Sequence, residues 1–143
     1  MLCTAGLSVS AHAGDVVTAE FRACPTGTAI GDVPSCGKIW KLKSGKGSVD
    51  ANGTLKISLK GLVLNDESVG EFNGTPDGVG HVVGAVLCSG MVAAQTEWVA
   101  LAKNGDVKVK AKLELPASCI APTLVVREVW EGKVGGWLAA AGY

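Results

Sequence analysis

Apolar and polar residues alternate strictly along residues 106–115, the most regular stretch of the chain. The apolar positions are Val107, Val109, Ala111, Leu113 and Leu115, and the polar positions between them are Lys108, Lys110, Lys112 and Glu114. A period of two is typical of a β-strand with one buried face. Asn104-Gly105 stands just before this strand, and both residues tolerate the positive φ of a type I′ turn. The pattern therefore predicts a β-hairpin with residues 99–103 and 106–115 as its arms.

Less regular apolar patterns predict further strands at residues 15–23, 38–43, 54–64, 123–131 and 137–141. Asn52-Gly53, just before the third of these, predicts a second hairpin. The alternation changes phase by one residue at Gly61, which predicts a bulge or a bend between sheets. Residues 81–88 are apolar on both faces, so they predict a central strand that is packed on both sides.

About eight such strands, separated by turn signals, predict an all-β protein. The 20 glycines favour the same fold class, because glycine is common in turns and unfavourable inside helices. The expected architecture is an antiparallel β-sandwich of Ig-like or Greek-key type, or a flattened barrel, with about eight strands. The sequence has 143 residues, enough for one hydrophobic core, and residues 14–143 are interpreted as a single domain.

Residues 1–13 are mostly small and apolar and end in Ala11-His12-Ala13, which fits the A-x-A rule of signal-peptide cleavage. No Lys or Arg precedes the apolar run, so we interpret the segment as a signal peptide that is truncated or lacks its positive n-region. The alternative is a strand or a tail of a cytosolic protein. No other apolar run approaches about 20 residues, so no membrane span is predicted.

The cysteine count supports export. Once Cys3 is assigned to the leader, an even number remains, as a disulfide framework requires: Cys24, Cys36, Cys88 and Cys119. Three connectivities are open. We favour Cys24 with Cys36, which closes the loop at residues 25–35, and Cys88 with Cys119, which brackets the predicted hairpin. The alternatives are buried free thiols or a metal site, and the latter is disfavoured because no C-x-x-C occurs.

Residues 65–80 form a stretch without regular period that is rich in acidic residues. Its carboxylates are Asp66, Glu67, Glu71 and Asp77, and it contains no Lys or Arg. Loops of this length are often functional, so the segment is a candidate partner-binding loop. Its carboxylates could instead bind Ca²⁺, although the EF-hand spacing is absent, or serve a hydrolase together with His81. A solvated acidic loop without function is the remaining alternative.

Four tryptophans stand out in a chain with few aromatic residues, namely Trp40, Trp98, Trp130 and Trp137. Exposed and coplanar, two or three of them would form a stacking platform for sugar rings or another apolar ligand. In a sandwich, however, tryptophan more often fills the space between the sheets.

The formal net charge is zero, which gives no indication of a nucleic-acid partner or an anionic membrane. The charge is nevertheless unevenly distributed, because residues 38–60 carry +5 and residues 61–102 carry −5. Opposite regions of two copies could meet head to tail, as in a fibre. Alternatively, the lysines protect edge strands from aggregation.

The sequence therefore predicts a secreted or periplasmic, non-enzymatic binding module that uses its loops, chiefly residues 65–80, to bind a protein or carbohydrate partner. The first alternative is a self-associating subunit of an extracellular fibre or surface layer. The second is a hydrolase that uses the acidic loop and His81. No cofactor is expected, apart from the Ca²⁺ alternative at the acidic loop.

Overall fold

The structure, a computed structural model, describes residues 15–142, with side chains from residue 17 onward. The predicted signal peptide, residues 1–13, lies outside the described residues. Within the described part, the chain forms strands arranged in three antiparallel sheets and one short 3₁₀ helix. No helix there is long and apolar enough to cross a membrane.

The first sheet has four strands. These are β1 (Asp15–Glu20), β4 (Ser44–Asp50), β5 (Thr54–Lys60) and β10 (Val107–Lys112), in the spatial order β10-β5-β4-β1. β5 and β10 alternate as their sequences predict: Leu55, Ile57 and Leu59 of β5 are buried, whereas the residues between them are partly or fully exposed. The sequence did not predict a strand over residues 44–48 of β4. The sheet therefore has one core face and one solvent face.

The second sheet has six strands. These are β2 (Arg22–Ala23), β7 (His81–Cys88), β8 (Met91–Gln95), β9 (Val99–Ala100), β11 (Thr123–Trp130) and β12 (Lys133–Ala141). The spatial order is β9-β7-β11-β12-β2, and β8 also pairs with β7. A small third sheet joins β3 (Trp40–Lys41) to β6 (Val63–Leu64).

The two large sheets pack face to face. A Cβ atom built on Gly84 of β7 would lie 3.1 to 3.4 Å from side-chain atoms of Leu55, Ile57 and Val109 in the four-stranded sheet. The glycine thus lies where the two layers approach closely. The predicted antiparallel β-sandwich with two disulfides is confirmed.

The other face of the six-stranded sheet is also buried, and the loop at residues 24–39 lies against it. Asp32 N–H donates to Gly90 O at 2.9 Å, and the indole Nε1–H of Trp137 donates to Thr28 O at 2.8 Å. Residues 82–87 of β7 are all buried. The prediction that residues 81–88 form a central strand packed on both sides is confirmed.

The predicted hairpin around Asn104-Gly105 is wrong. β9 pairs with β7, where Val99 lies opposite Val82, whereas β10 pairs with β5. The turn itself is present, since Gly105 N–H donates to Ala102 O at 2.8 Å, but it carries the chain from one sheet to the other. An Asn-Gly turn specifies a chain reversal, and the strands that flank it pair wherever their apolar faces are best buried.

The change of phase at Gly61 marks a second crossing, as predicted. Gly61 has φ +70° and separates β5 of the four-stranded sheet from β6 of the small sheet. The two crossings contact each other, because Leu62 N–H donates to Gly105 O at 2.9 Å and Gly61 N–H donates to Asp106 Oδ1 at 3.0 Å. The hairpin predicted at Asn52-Gly53 is confirmed by β4 and β5.

Two predicted strands are shorter in the structure. The strand expected at residues 15–23 is divided at Phe21, whose N–H donates to Gly45 O at 2.9 Å, so that β1 and β2 join different sheets. The strand expected at residues 38–43 is reduced to β3.

Both predicted disulfides are present. Cys24 pairs with Cys36 at a Cα–Cα distance of 6.3 Å, and Cys88 pairs with Cys119 at 5.0 Å. The second bridge links the end of β7 to the segment that precedes β11. Two intrachain disulfides are compatible with an extracellular or periplasmic protein.

We predict that the two disulfides stabilise the fold unequally. Their sequence separations are 31 residues for Cys88–Cys119 and 12 for Cys24–Cys36. A longer closed loop restricts the unfolded chain more. Replacing both Cys88 and Cys119 by Ala therefore lowers the free energy of unfolding by about 4 kcal/mol, and replacing both Cys24 and Cys36 by Ala lowers it by about 3 kcal/mol. Urea denaturation measures both losses. A larger loss for Cys24–Cys36 would show that packing of its loop, rather than the entropy of the unfolded chain, determines how much each disulfide stabilises the fold.

We also predict that Gly105→Ala is far more damaging than Gly132→Ala. Both glycines have positive φ, +87° and +80°, but a Cβ on Gly105 would lie 2.5 Å from the backbone nitrogen of Leu62, whereas a Cβ on Gly132 meets nothing within 4 Å. Urea denaturation should show a loss of at least about 3 kcal/mol for Gly105→Ala and about 1 kcal/mol for the control. Equal losses of stability in the two variants would contradict a role for the contact between Gly105 and Leu62.

Candidate functional site

A groove of about 350 Å³ lies at one end of the sandwich, beneath the acidic segment at residues 65–80. Its apolar lining consists of Trp40, Leu64, Val69, Phe72, Val79 and Trp130. Lys38, Asp77 and Glu128 supply its charged groups. The groove therefore combines an aromatic and aliphatic wall with a few charged side chains, which is the usual composition of a ligand site.

The acidic segment is more ordered than its sequence suggests, since Glu67–Phe72 form a 3₁₀ helix that is kinked at Gly70 (φ +61°) and capped by Asp66. Oδ1 of Asp66 accepts from the Oγ–H and the N–H of Ser68 at 2.6 and 3.0 Å, and the Asp66 N–H donates to Asn73 Oδ1 at 2.9 Å. The hydrogen bond from the Ser68 hydroxyl lowers the pKa of Asp66. The acidic cap thus holds the segment in one shape, and the sequence prediction missed this helix.

Backbone hydrogen bonds also fix the segment to the small sheet. Leu64 N–H donates to Thr75 O, and Gly74 N–H donates to Leu64 O, both at 2.9 Å. Farther along, Val79 N–H donates to Pro76 O at 2.9 Å, and Val79 is buried. These bonds make the segment a wall of the groove.

Two of the four tryptophans line this groove. Trp40 in β3 is buried at its base, whereas Trp130 at the end of β11 is 46% exposed. The Trp130 ring lies directly against Gly78, where any Cβ atom would collide with it. Phe72, the last residue of the 3₁₀ helix, is 44% exposed. Trp130 and Phe72 are therefore aromatic groove residues that remain partly exposed.

Glu128 is the unusual member of the lining. It lies in β11 with Trp130 two residues farther on, and it is half-buried. Its carboxyl lies beside Gly135, where a Cβ would be 3.0 Å from Oε2, and no donor among the described residues hydrogen-bonds to it. Burial raises the pKa of the Glu128 carboxyl. A partly desolvated carboxylate that receives no hydrogen bond from the described residues favours a site that receives one from a ligand.

The structure separates the other residues selected from the sequence. Asp77 lines the groove, whereas Glu67 and Glu71 are exposed on the acidic segment and do not line it. Trp98 is exposed and stacks obliquely on His81, with ring centroids 5.7 Å apart. Trp137 is buried in the core. The four tryptophans therefore do not gather in one place.

Sequence reasoning missed Glu128 and Phe72. A signal for Glu128 was present, because it occupies the row of β11 that also contains Leu124, Val126 and Trp130, where a charged residue interrupts an apolar face. Phe72 carried no periodic signal, since its segment has no regular alternation.

Among the described residues, no group of three or more His, Cys, Asp and Glu side chains is placed to bind a metal ion. Ca²⁺ binding at the acidic segment stays a prediction. The hydrolase alternative also stays a prediction, and His81, on which it depends, is exposed at the start of β7.

Comparisons with models of protein families, with characterised proteins and with solved structures found no match to this chain. The fold and the groove are therefore the basis for inferring a function.

We predict that Glu128→Gln stabilises the protein at neutral pH. The folded pKa of Glu128 lies above its ordinary value of 4.5, so the buried charge destabilises the fold above the folded pKa, and the penalty disappears as the pH falls toward 4.5. The urea midpoint of the variant should exceed that of the unchanged protein at pH 7 and equal it at pH 4.

The matched control is Glu114→Gln, which removes an exposed carboxylate and should leave the midpoint unchanged at both pH values. A lower midpoint for Glu128→Gln at pH 7 would show instead that the carboxylate is satisfied within the fold.

Proposed function

We propose that this protein is a secreted or periplasmic, non-enzymatic binding module whose groove receives a partner group with an apolar body and a positive charge. The observation that carries the proposal is the half-buried Glu128 carboxyl, which accepts no hydrogen bond from the described chain and lies among aromatic and aliphatic side chains. A cationic group would satisfy this carboxylate, and an apolar body would cover Val69 and Val79.

The aromatic rings favour the same ligand. A cation over the face of a tryptophan is attracted by the ring quadrupole, and the attraction grows when water is excluded. Trp130 offers an exposed ring beside Glu128, and Phe72 adds a second across the groove. A lysine or arginine side chain, or another substituted ammonium group, has the required combination of apolar stem and charge.

The charges around the groove support attraction of a cation. Glu67, Glu71 and Asp77 are exposed on the acidic segment. Lys38, the basic residue at the rim, hydrogen-bonds to Ser68 Oγ at 3.3 Å. An excess of negative charge raises the association rate of a positively charged partner.

Export is supported by the two disulfides, because such bonds persist in oxidising compartments and are rare in the cytosol. A binding role suits an architecture in which a rigid sandwich presents an ordered loop.

Self-association is a second candidate, favoured by the segregation of charge over the surface. Lysines occupy the solvent face of the four-stranded sheet, and the acidic segment lies outside that face. Contact between these two surfaces on different copies would be heterologous and could continue into a fibre.

We predict that phenethylamine binds in the groove more tightly than 3-phenylpropionate, which has a similar ring but the opposite charge. Titration followed by ¹H–¹⁵N NMR should shift the indole N–H signal of Trp130 with at least about a fivefold preference for the amine. Glu128→Gln should remove the preference, because the variant lacks the negative charge.

The control variant is Trp98→Ala, which deletes an exposed tryptophan that does not line the groove and should not change binding. Equal binding of the two compounds would contradict the proposed charge selectivity. Unchanged binding after replacement of residues 67–77 by a short glycine linker would contradict the role of the acidic segment.

A further inference from the structure

The solvent face of the four-stranded sheet carries most of the chain's lysines. They come from three neighbouring strands and are all exposed: Lys46 of β4, Lys56 and Lys60 of β5, and Lys108, Lys110 and Lys112 of β10. Among the described side chains of this face, the acidic ones are Glu20 and Asp50. The face is therefore strongly positive, although the whole chain is neutral.

The strand register places several of these lysines next to one another. Lys110 lies directly opposite Lys56, and Ser58 lies between Lys108 on one side and Lys46 on the other. Like charges in directly opposed positions destabilise a sheet. An anionic partner would remove this repulsion.

The acidic residues of the face offset part of the positive charge: six lysines against two carboxylates leave +4. Oδ1 of Asp50 accepts the N–H groups of Asn52 and Thr54 at 2.8 and 3.0 Å, which stabilises the turn between β4 and β5. The hydrogen bond from Thr54 is the main reason that the pKa of Asp50 is lowered. Glu20 lies at the far edge of the sheet, opposite Lys46.

The face is shaped as a shallow trough of about 460 Å³. Thr18, Ser48 and Ser58 contribute hydroxyl side chains to it, and Lys46, Lys56, Lys108 and Lys110 contribute ammonium groups. Side chains on one face repeat at about 6.8 Å along a strand and at about 4.8 Å between strands. Charges at such spacing match a ligand that repeats its own negative charge.

We propose that this trough binds a chain of acidic polysaccharide. Lysine ammonium groups act as point charges that accept carboxylate or sulfate without strict geometry. The hydroxyl side chains provide hydrogen bonds of the kind that sugar hydroxyls make. The site shares no lining residue with the groove that contains Glu128, so it does not depend on the function proposed for that groove.

Other polyanions fit this face less well. Among the described side chains, the face presents no aromatic ring on which an unpaired base could stack. It also presents no helix or protruding ribbon that could enter the major groove of a duplex. The exposed side chains beside the lysines are polar, so the face lacks the apolar groups that insert into a membrane interface.

The test uses the full chain with polygalacturonate as the probe and neutral dextran as its uncharged counterpart. Isothermal titration in about 20 mM salt should detect binding of polygalacturonate and none of dextran, and about 0.5 M salt should abolish it. The combined variant Lys56→Gln, Lys108→Gln and Lys110→Gln should weaken binding at least about tenfold, because it removes three adjacent charges.

The matched control is the combined variant Lys41→Gln, Lys103→Gln and Lys133→Gln, which changes the net charge equally at exposed positions outside the trough. It should weaken binding less than about twofold. Near-ultraviolet circular dichroism verifies that both variants are folded. An equal loss in both variants would overturn the proposal, since net charge alone would then explain binding.

Three further results would also overturn it. The first is binding of dextran as tight as that of polygalacturonate. The second is tighter binding of duplex DNA, or of vesicles containing phosphatidylglycerol, with the same dependence on the three lysines. The third is self-association, detected by sedimentation at low salt, that only the trough variant loses, which would make the face a docking site for the acidic segment of a second copy.

Discussion

The central constraint on this fold is that the six-stranded sheet has to bury both of its faces. Residues 82–87 of β7 are all shielded, and β7 pairs on both edges. The four-stranded sheet covers one face. The loop at residues 24–39 lies against the other, and it contains few backbone hydrogen bonds of its own, so its closure by Cys24–Cys36 and its bonds to Gly90 and Trp137 hold it there.

The second constraint is that the chain has to pass from one sheet to another at two points. Gly61 and Gly105 both have positive φ, and their neighbours hydrogen-bond to each other across the end of the sandwich. A chain that leaves one sheet for another must turn sharply while keeping its backbone polar groups satisfied. Glycine at both points permits this, and Asp106 supplies the additional acceptor to Gly61 N–H.

The two candidate sites exploit different consequences of the same scaffold. At the end of the sandwich, the capped acidic segment covers β11 incompletely and leaves Glu128 half-buried in a largely apolar groove. On the outer face of the four-stranded sheet, half-buried strands must expose every second residue, and here these residues are mainly lysines and hydroxyls. The ligand that we propose for the first site is a compact cation and the one that we propose for the second is an extended anion, so the two differ in both charge and size.

Local patterns in the sequence predicted most of the strands and their buried faces, the bend at Gly61 and the hairpin at Asn52-Gly53, because periodicity and turn chemistry act over a few residues. The strands at residues 44–48 and 91–95 were missed, because neither segment alternates clearly. The sequence favoured the observed disulfide pairing but left three connectivities open. Only the tertiary structure decided that β9 and β10 join different sheets, since that choice depends on burial against distant strands. Neither candidate site could be assembled from the sequence for the same reason. Asp77, Trp40 and Trp130 could be selected from the sequence, but their meeting with Glu128, and the gathering of lysines from three strands, arise from contacts between residues far apart in the chain.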